Sequence, residues 1–431
     1  CSFLAGGHCE KGLCFPGEWT APETETPDGG DNDPVTDPCE TPSLCNPIAP
    51  WPGDNSCTAA PPAASRRACD ADGACSAGIC HVDGTCIEPG QCDAKGIATL
   101  AISDGPVSKI AVDDRYVYWA DYGTEDHLGN YQANGRTARV PIQGGATQIL
   151  ESSAYQPTLL LVDSSHIYWN DGQNTSGFLL WKALKDGSDT PEMFLEDTAV
   201  LVTAPNRVTQ DTANIYYMGS TVQGDGLTIS VLPKKGGIEP IRLLDSLDAP
   251  AYAGISVGEE HVFIPDREPE VYSGIPKASN VDRVQTACSL DYLGRENTGV
   301  TYNDGQLYVN HCDPSECRIL SCSATDATQS TPLVIYLGKE EERIRNLKHY
   351  SGKVYLLSYS SSNEGGRGGT RITAAPSVPT GSPNDTVVVE EWSPDPDSDF
   401  VPDIDVSGSG VFWVGPYNGS SIRNRIIRRT H

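Results

Sequence analysis

The side chains best suited to bind a metal form an acidic run near the carboxyl end of the chain. Five aspartates alternate there with other residues: Asp395, Asp397, Asp399, Asp403 and Asp405. Because Ca²⁺ is bound by carboxylate and carbonyl oxygens, this spacing predicts a candidate calcium site, and no other cofactor is expected. The glycine and closing glutamate of an EF-hand loop are missing, and Glu390 and Glu391 precede the run. A solvated acidic loop is therefore the alternative interpretation.

Cysteine is the second residue type that carries chemistry, and the chain contains 15 cysteines. Besides Cys1 they are Cys9, Cys14, Cys39, Cys45, Cys57, Cys69, Cys75, Cys80, Cys86, Cys92, Cys288, Cys312, Cys317 and Cys322. Without Cys1 their number is even, so all of them could pair. Because disulfides persist in oxidising compartments, we expect an exported protein in which these residues form disulfides.

Three of these cysteines lie close together after His311, and a zinc cluster is one interpretation of that spacing. The exported character favours disulfides instead. We expect one bridge among Cys312, Cys317 and Cys322, with the remaining cysteine paired to Cys288.

One segment matches the G-x-S-x-G pattern of a nucleophile elbow, Gly254-Ile-Ser256-Val-Gly258. That elbow needs a strand-to-helix turn, whereas this segment is predicted to be a strand with no helix after it. The sequence contains no H-E-x-x-H motif, and spacing places no Ser/His/Asp set. The motifs therefore predict that the chain is not an enzyme.

Charge limits the classes of partner. The formal net charge is −28, from 58 acidic and 30 basic residues. Such a surface repels phosphate backbones, so no nucleic acid partner is expected. No run of about 18 apolar residues occurs, so no transmembrane helix is expected either.

The first residues, Cys1-Ser2-Phe3-Leu4-Ala5, resemble the start of a mature bacterial lipoprotein. That resemblance implies a lipid anchor on Cys1, and several acyl chains would hold a protein at a membrane durably. Ser2 resembles the residue of lipoproteins exported to the outer membrane, on either its periplasmic or its extracellular face. The alternative is an ordinary cysteine, free or in a disulfide.

Residues 1–93 differ in character from the rest of the chain. They are rich in cysteine and proline and have few apolar residues, so hydrophobic burial alone cannot order them. Disulfides must supply the order, and the pairing cannot be deduced from the sequence. The segment from Cys69 to Cys92 resembles small EGF-like modules of secreted proteins.

From residue 94 onward a unit recurs roughly every 50 residues, which is close to the period of propeller blades. Each unit contains a short strand whose third residue is aromatic: Tyr118, Tyr168, Tyr216, Phe263, Tyr308, Tyr355 and Phe412. Polar turns such as Asp113-Asp114 precede these strands, so each should form a hairpin with the strand before it. Two further strands complete each unit.

This repeat predicts an all-β fold, a seven-bladed β-propeller preceded by a disulfide-rich, loop-dominated N-terminal segment. A four-stranded sheet has two apolar faces, and stacking sheets radially covers each face with the next sheet. The last unit has room for only three strands. We therefore expect residues 97–102 to supply its fourth strand and close the ring; the alternative is a separate edge strand. The predicted domains are residues 1–93 and 94–431.

The strands Tyr118-Trp-Ala-Asp121 and Tyr168-Trp-Asn-Asp171 resemble the YWTD signature of low-density-lipoprotein-receptor-type propellers. The glycine pairs Gly144-Gly145 and Gly236-Gly237 resemble that family and also TolB-like periplasmic propellers. The receptor propellers have six blades, and the signature fades here after two repeats. The resemblance therefore implies a fold and does not carry over a ligand.

We expect a surface-anchored lipoprotein that binds or scaffolds a protein or glycan at the cell surface. Its contacts should concentrate on the long inserted loops at residues 122–137, 219–226 and 358–369. One alternative is a structural subunit of an extracellular filament or envelope machine, a homo- or hetero-oligomer formed through the N-terminal segment. Another is a polysaccharide lyase or hydrolase that uses the central funnel of the propeller.

Overall fold

The computed structural model describes the part of the chain that forms the regular sheets and many of their turns. The described residues are 8–10, 13–15, 79–80, 86–87, 97–103, 105–124, 134–170, 177–202, 207–221, 226–247, 254–266, 271–277, 285–289, 299–312, 316–324, 332–338, 342–360, 369–378, 386–392, 403–417 and 420–429. Among them, no helix has the length and hydrophobicity needed to cross a bilayer.

Two compact units are formed by the chain. The smaller comprises Cys1–Ala101, Val140–Thr147 and Thr430, and the larger comprises Ile102–Arg139, Gln148–Arg429 and His431. The smaller unit contains two short antiparallel hairpins, β1 (His8–Glu10) with β2 (Leu13–Phe15), and β3 (Ile79–Cys80) with β4 (Cys86–Ile87).

The remaining strands form seven sheets, which we number I to VII. Sheet I contains β6 (Val107–Val112), β7 (Tyr116–Asp121), β8 (Gly135–Pro141) and β9 (Gln148–Ala154). Sheet II contains β10 (Leu160–Val162), β11 (His166–Asn170), β12 (Phe178–Leu184) and β13 (Glu192–Asp197). Sheet III contains β14 (Val200–Leu201), β15 (Val208–Gln210), β16 (Asn214–Thr221), β17 (Leu227–Pro233) and β18 (Ile241–Leu247).

The later sheets repeat this plan. Sheet IV contains β19 (Ser256–Val257), β20 (His261–Asp266), β21 (Val271–Pro276) and β22 (Gln285–Ser289). Sheet V contains β23 (Val300–Asn303), β24 (Gln306–Cys312), β25 (Cys317–Ser323) and β26 (Leu333–Leu337). Sheet VI contains β27 (Glu342–Tyr350), β28 (Lys353–Ser360), β29 (Thr370–Pro376) and β30 (Val387–Trp392). Sheet VII contains β31 (Ile404–Ser407), β32 (Gly410–Tyr417), β33 (Ser420–Arg429) and β5 (Ile97–Ser103).

Sheets I to VI follow the chain as meanders, and among the described strands only sheet III has a fifth member, because β14 and β15 both pair with β16. In sheet VII the strand order is β31-β32-β33-β5. The strand from early in the chain is therefore the fourth strand of the last sheet, as the sequence predicts for residues 97–102. The inner strand β31 also contacts β6 of sheet I, so the last and first sheets meet.

Packing between neighbouring sheets explains why the repeat folds. Each of the seven aromatic residues is at most 3% exposed, and several hydrophobic clusters join two successive sheets. One cluster combines Tyr118 of sheet I with Ile167 and Trp169 of sheet II. Similar clusters join sheets II to VI pairwise. A single sheet would leave these faces in water, so stacking stabilises all of them together.

The fold class is therefore confirmed as an all-β, seven-bladed propeller. The predicted disulfide-rich character of the N-terminal segment stays a prediction, because the side chains of residues 1–96 lie outside the described residues. The domain boundary after residue 93 likewise stays a prediction.

Candidate functional site

Seven side chains at equivalent positions form a layer around the centre of the propeller. In each sheet one residue of the inner strand pairs directly with the aromatic residue of the next strand. In sheet order these inner residues are Ala111, Leu161, Thr209, Ser256, Thr301, Lys348 and Asp405. All seven line one cavity of about 280 Å³. We call this layer the channel ring.

The channel ring is divided into three sectors by its chemistry. Sheets I and II contribute the apolar side chains of Ala111 and Leu161, and sheets III to V contribute three hydroxyl groups. Sheets VI and VII contribute an ion pair, in which Lys348 Nζ lies 3.1 Å from Asp405 Oδ1. At the level of this ring a small ligand would meet an apolar, a hydroxyl and a charged sector, while Lys109 of sheet I and apolar residues of sheets III to VI line the cavity at other levels.

A second ion pair lies beside the charged sector and joins three sheets. Lys109 Nζ of sheet I lies 3.2 Å from Oδ1 of Asp403. Asp403 is the residue directly before β31 in the chain. Asn346 of sheet VI donates to the same oxygen at 2.6 Å, and the amide of Ile110 donates to Oδ2 at 3.0 Å. Asp403 is 5% exposed. Its carboxylate therefore connects sheets VI, VII and I where the ring closes.

The carboxylates of the channel hold Lys348 in its charged form. Burial alone would lower the pKa of Lys348, but the carboxylates of Asp405 and Asp403 raise it above its usual value. The other oxygen of Asp405 accepts the amide hydrogen of Val112 at 2.8 Å. Since each ammonium faces a carboxylate, the channel lining has little net charge.

Polar atoms in the hydroxyl sector still have capacity for hydrogen bonds. Ser256 Oγ accepts the amide hydrogen of Tyr302 at 3.0 Å, which leaves its own hydrogen to be donated. Gln210, which also lines the cavity, donates through Nε2 to the carbonyl of Val162 at 2.6 Å. Its buried Oε1 has no partner among the described residues. A buried acceptor without a partner costs about 1–3 kcal/mol, and this oxygen is closed off from the cavity, so a ligand there would not reach it.

The structure gives the predicted calcium ligands a different role where it describes them. Asp403 and Asp405 bind lysines and backbone amides of neighbouring sheets. Asp395, Asp397 and Asp399 lie outside the described residues. No group of three or more metal-binding side chains occurs within the described ranges. Local spacing could not reveal this role, because Lys109 and Ile110 lie almost three hundred positions earlier in the chain. Calcium binding stays a prediction.

A recurring interaction between neighbouring sheets was not predicted from the sequence. Asp113, Asp163 and Asp211 each accept a hydrogen bond from the tyrosine five residues later, at 2.8–3.0 Å. Each also binds a lysine of the next sheet, and these lysines are Lys185, Lys234 and Lys277, at 2.6–3.3 Å. We call these contacts the Asp–Tyr–Lys clasps. The spacing D-x-x-x-x-Y in three successive units is the signal that would have found them.

The clasps hold their carboxylates ionised. Burial by itself would raise the pKa of Asp163, but backbone amides, the tyrosine and Lys234 lower it to about 2. The pKa of Asp211 is also lowered to about 2, with Lys277 as its main hydrogen-bonded partner against the effect of burial. In sheet IV the aspartate position is Gly258 and the tyrosine position is Phe263, so both halves of the clasp are replaced together.

The cysteines after His311 form disulfides in the structure. Cys312 and Cys317 are bridged across the hairpin of β24 and β25, where they pair directly. Cys322 is also disulfide-bonded. The side chain of Cys288, the predicted partner, lies outside the described residues. Both members of the described bridge are buried in the cluster between sheets V and VI.

The remaining predicted site residues divide into two groups. Ser256 of the G-x-S-x-G pattern lies in the inner strand β19, and the described residues after it form a strand, not a helix. Cys1 and most of the N-terminal cysteines lie outside the described residues. Cys9, Cys14, Cys80 and Cys86 lie in the short hairpins, and their side chains are not described. The long inserted loops lie largely outside the described residues.

Comparisons with known proteins show the fold and no family. No protein-family model matches the sequence, and no curated protein matches it. TolB from Acinetobacter baumannii is similar over 62% of this chain and 65% of its own, with 9% identity and a TM-score of 0.38. A putative 6-phosphogluconolactonase from Bacteroides uniformis is similar over 70% of this chain and 89% of its own, with 14% identity and a TM-score of 0.45. A prolyl endopeptidase is similar over 76% of this chain and 50% of its own, with 10% identity and a TM-score of 0.45.

These neighbours correct one prediction. The sequence motifs predict that the chain is not an enzyme, and that prediction is contradicted, since a prolyl endopeptidase, a puromycin hydrolase and a putative 6-phosphogluconolactonase share the fold. The prediction rested on motifs that are missing from the sequence, and a missing motif does not exclude an activity. At 9–14% identity the neighbours transfer no activity to this chain.

Proposed function

We propose that this chain is an exported binding module of the cell surface, which recognises a protein-borne or free glycan in its central channel. The observation that carries the proposal is the channel ring, in which seven side chains at one level line a cavity of about 280 Å³. Mostly pre-formed cavities with a few convergent polar groups are the usual form of ligand sites. The propeller fold itself is compatible with a binding or scaffolding role.

Two further observations support the proposal. The ion pairs of the channel fix its polar groups in place, because Asp403 and Asp405 are each bound by a lysine and a backbone amide. Such pre-organisation lowers the entropy that a bound ligand must overcome. The disulfides in sheet V agree with an oxidising compartment. Lipid anchoring through Cys1 stays a prediction, which the mass of the N-terminal peptide from the native protein would test.

The proposal is tested by exposing the purified chain to an array of bacterial envelope polysaccharides and glycoproteins. Thr209→Trp should fill the channel, and Ile241→Trp is the matched control, because Ile241 is 43% exposed on the outer strand of the same sheet. We expect retention on the array to fall at least roughly tenfold in the channel variant and to stay unchanged in the control, as expected where a side chain occupies a binding cavity.

Thr301→Trp is a second channel variant, which keeps the test possible if Thr209→Trp does not fold. Near-ultraviolet circular dichroism establishes that each variant is folded. The proposal is overturned if no array component is retained, or if both folded channel variants are retained as well as the control.

A further inference from the structure

The channel ring has a fixed order of chemistry, and that order indicates a ligand class. Apolar side chains occupy sheets I and II, hydroxyl groups occupy sheets III to V, and the Lys348–Asp405 pair occupies sheets VI and VII. The apolar sector thus faces hydroxyl and charged side chains across the cavity. A complementary ligand has one apolar face and many hydrogen-bonding groups around its edge.

Charge decides between ionic and neutral ligands. Lys348 and Lys109 are each bound to an aspartate at 3.1–3.2 Å, and Asp403 and Asp405 also accept backbone amides. An anionic ligand would compete with these carboxylates for the lysines, and a cationic ligand would compete with the lysines. Breaking a largely buried pair leaves an uncompensated charge, which is strongly unfavourable. The net charge of −28 further disfavours anions.

Neutral groups, by contrast, have partners available. The Ser256 hydroxyl can donate, because its oxygen already accepts the amide hydrogen of Tyr302. Thr209 and Thr301 contribute hydroxyls to the same wall. Carboxylate oxygens of the existing ion pairs can accept an additional hydrogen bond without loss of their lysine.

From these observations we infer that the channel binds one neutral hexose unit, with the C–H face of the sugar ring on Ala111 and Leu161 and its hydroxyls toward Thr209, Ser256 and Thr301. This inference rests on the proposed function and adds the class of sugar. For a ligand of this size the expected Kd is on the order of 1–10 mM.

The test is titration of the full chain, by calorimetry, with the neutral sugars D-glucose, D-galactose and D-mannose. The charged probes are D-glucuronate, D-galacturonate, D-mannuronate and D-glucosamine, which keep the ring and add one charge. We expect at least one neutral hexose to bind, and its charged counterpart to bind roughly tenfold more weakly, because the counterpart must disturb an ion pair.

Two substitutions locate the site. Thr209→Val and Thr301→Val remove a hydroxyl and keep the branched shape, so each should weaken binding of the neutral sugar roughly fivefold through the loss of one hydrogen bond. Thr190→Val is the matched control, because Thr190 is exposed in a turn of sheet II.

The possible failures are distinguishable. If an acidic or amino sugar binds more tightly than its neutral counterpart and channel-filling variants still abolish retention on the array, the ligand class is wrong and the proposed function stands. The inference is overturned if no neutral hexose binds even at sugar concentrations well above the expected Kd. It is also overturned if the two valine variants bind the sugar as tightly as Thr190→Val does. If the array also shows no dependence on the channel, the proposed function fails with it.

Discussion

Removing the carboxylate of Asp403 should destabilise the propeller more than removing a carboxylate from its rim. Asp403 is 5% exposed and accepts hydrogen bonds from Lys109, Asn346 and the amide of Ile110. Asp403→Ala leaves the Lys109 ammonium and a buried amide hydrogen without this partner. Breaking a buried pair by removing one member costs about 3–5 kcal/mol, which for a fold of this size lowers Tm by roughly 4–7 °C.

The matched control is an ion pair of similar geometry in water. Lys182 Nζ lies 2.9 Å from Glu192 Oε1, and the Glu192 side chain is 65% exposed. Glu192→Ala should therefore leave the free energy of unfolding almost unchanged. The free energy of unfolding of both variants is measured by urea titration with circular dichroism, and a double-mutant cycle with Lys109→Ala isolates the direct coupling, expected at about 0.5–3 kcal/mol.

Equal destabilisation by Asp403→Ala and Glu192→Ala would mean that the contacts of Asp403 do not hold sheets VI, VII and I together. A coupling energy near zero would mean that the ion pair with Lys109 does not contribute to stability, and that the destabilisation comes from the other hydrogen bonds of Asp403.

Three further predictions follow from contacts away from the channel. The pKa of Asp163 is lowered to about 2 in the folded protein, whereas it is near 4 in the unfolded chain. The clasp therefore stabilises the fold above pH 4, and this contribution is lost as the pH falls toward 2. In urea titrations between pH 2 and 5, Asp163→Asn should reduce the pH dependence of the free energy of unfolding by about 1 kcal/mol. The double substitution Cys312→Ser and Cys317→Ser should cost about 2 kcal/mol, since the bridge closes a short loop, and a loss below about 0.5 kcal/mol would contradict this. Glu342→Gln should cost about 3–5 kcal/mol in the same assay, because Glu342 is 3% exposed and binds Arg371 through both oxygens at 2.8–2.9 Å; an unchanged midpoint would show that the pair is dispensable.

The sheets could be predicted from the sequence because their signals are local and repeated. The aromatic residue in each unit, such as Tyr118 or Phe412, marks a strand, and a polar turn before it marks a hairpin. The register of that hairpin also fixes the channel ring, since the residue opposite the aromatic residue faces the cavity. Counting back from Tyr216 to Thr209 would thus have identified a lining residue.

The chemistry of the channel could not be predicted in the same way. Asp403 and Asp405 follow an alternating pattern that suggests calcium, yet their partners Lys109 and Lys348 belong to other sheets. Such pairing depends on how the ring closes, and no local spacing encodes it. The clasps could be predicted in part. The spacing of Asp113 and Tyr118 is repeated in the sequence, but their partner Lys185 belongs to the next sheet and has no local signal.

The most direct test of the ligand site is methyl-resolved NMR of the full chain during titration with the most strongly retained array glycan. We expect the methyl resonances of Ala111, Leu161 and Thr209 to shift together, while those of Ile149 and Met193, which are 44% and 50% exposed on outer strands, stay in place. Shifts confined to the outer strands, with the channel resonances unmoved at saturation, would contradict it.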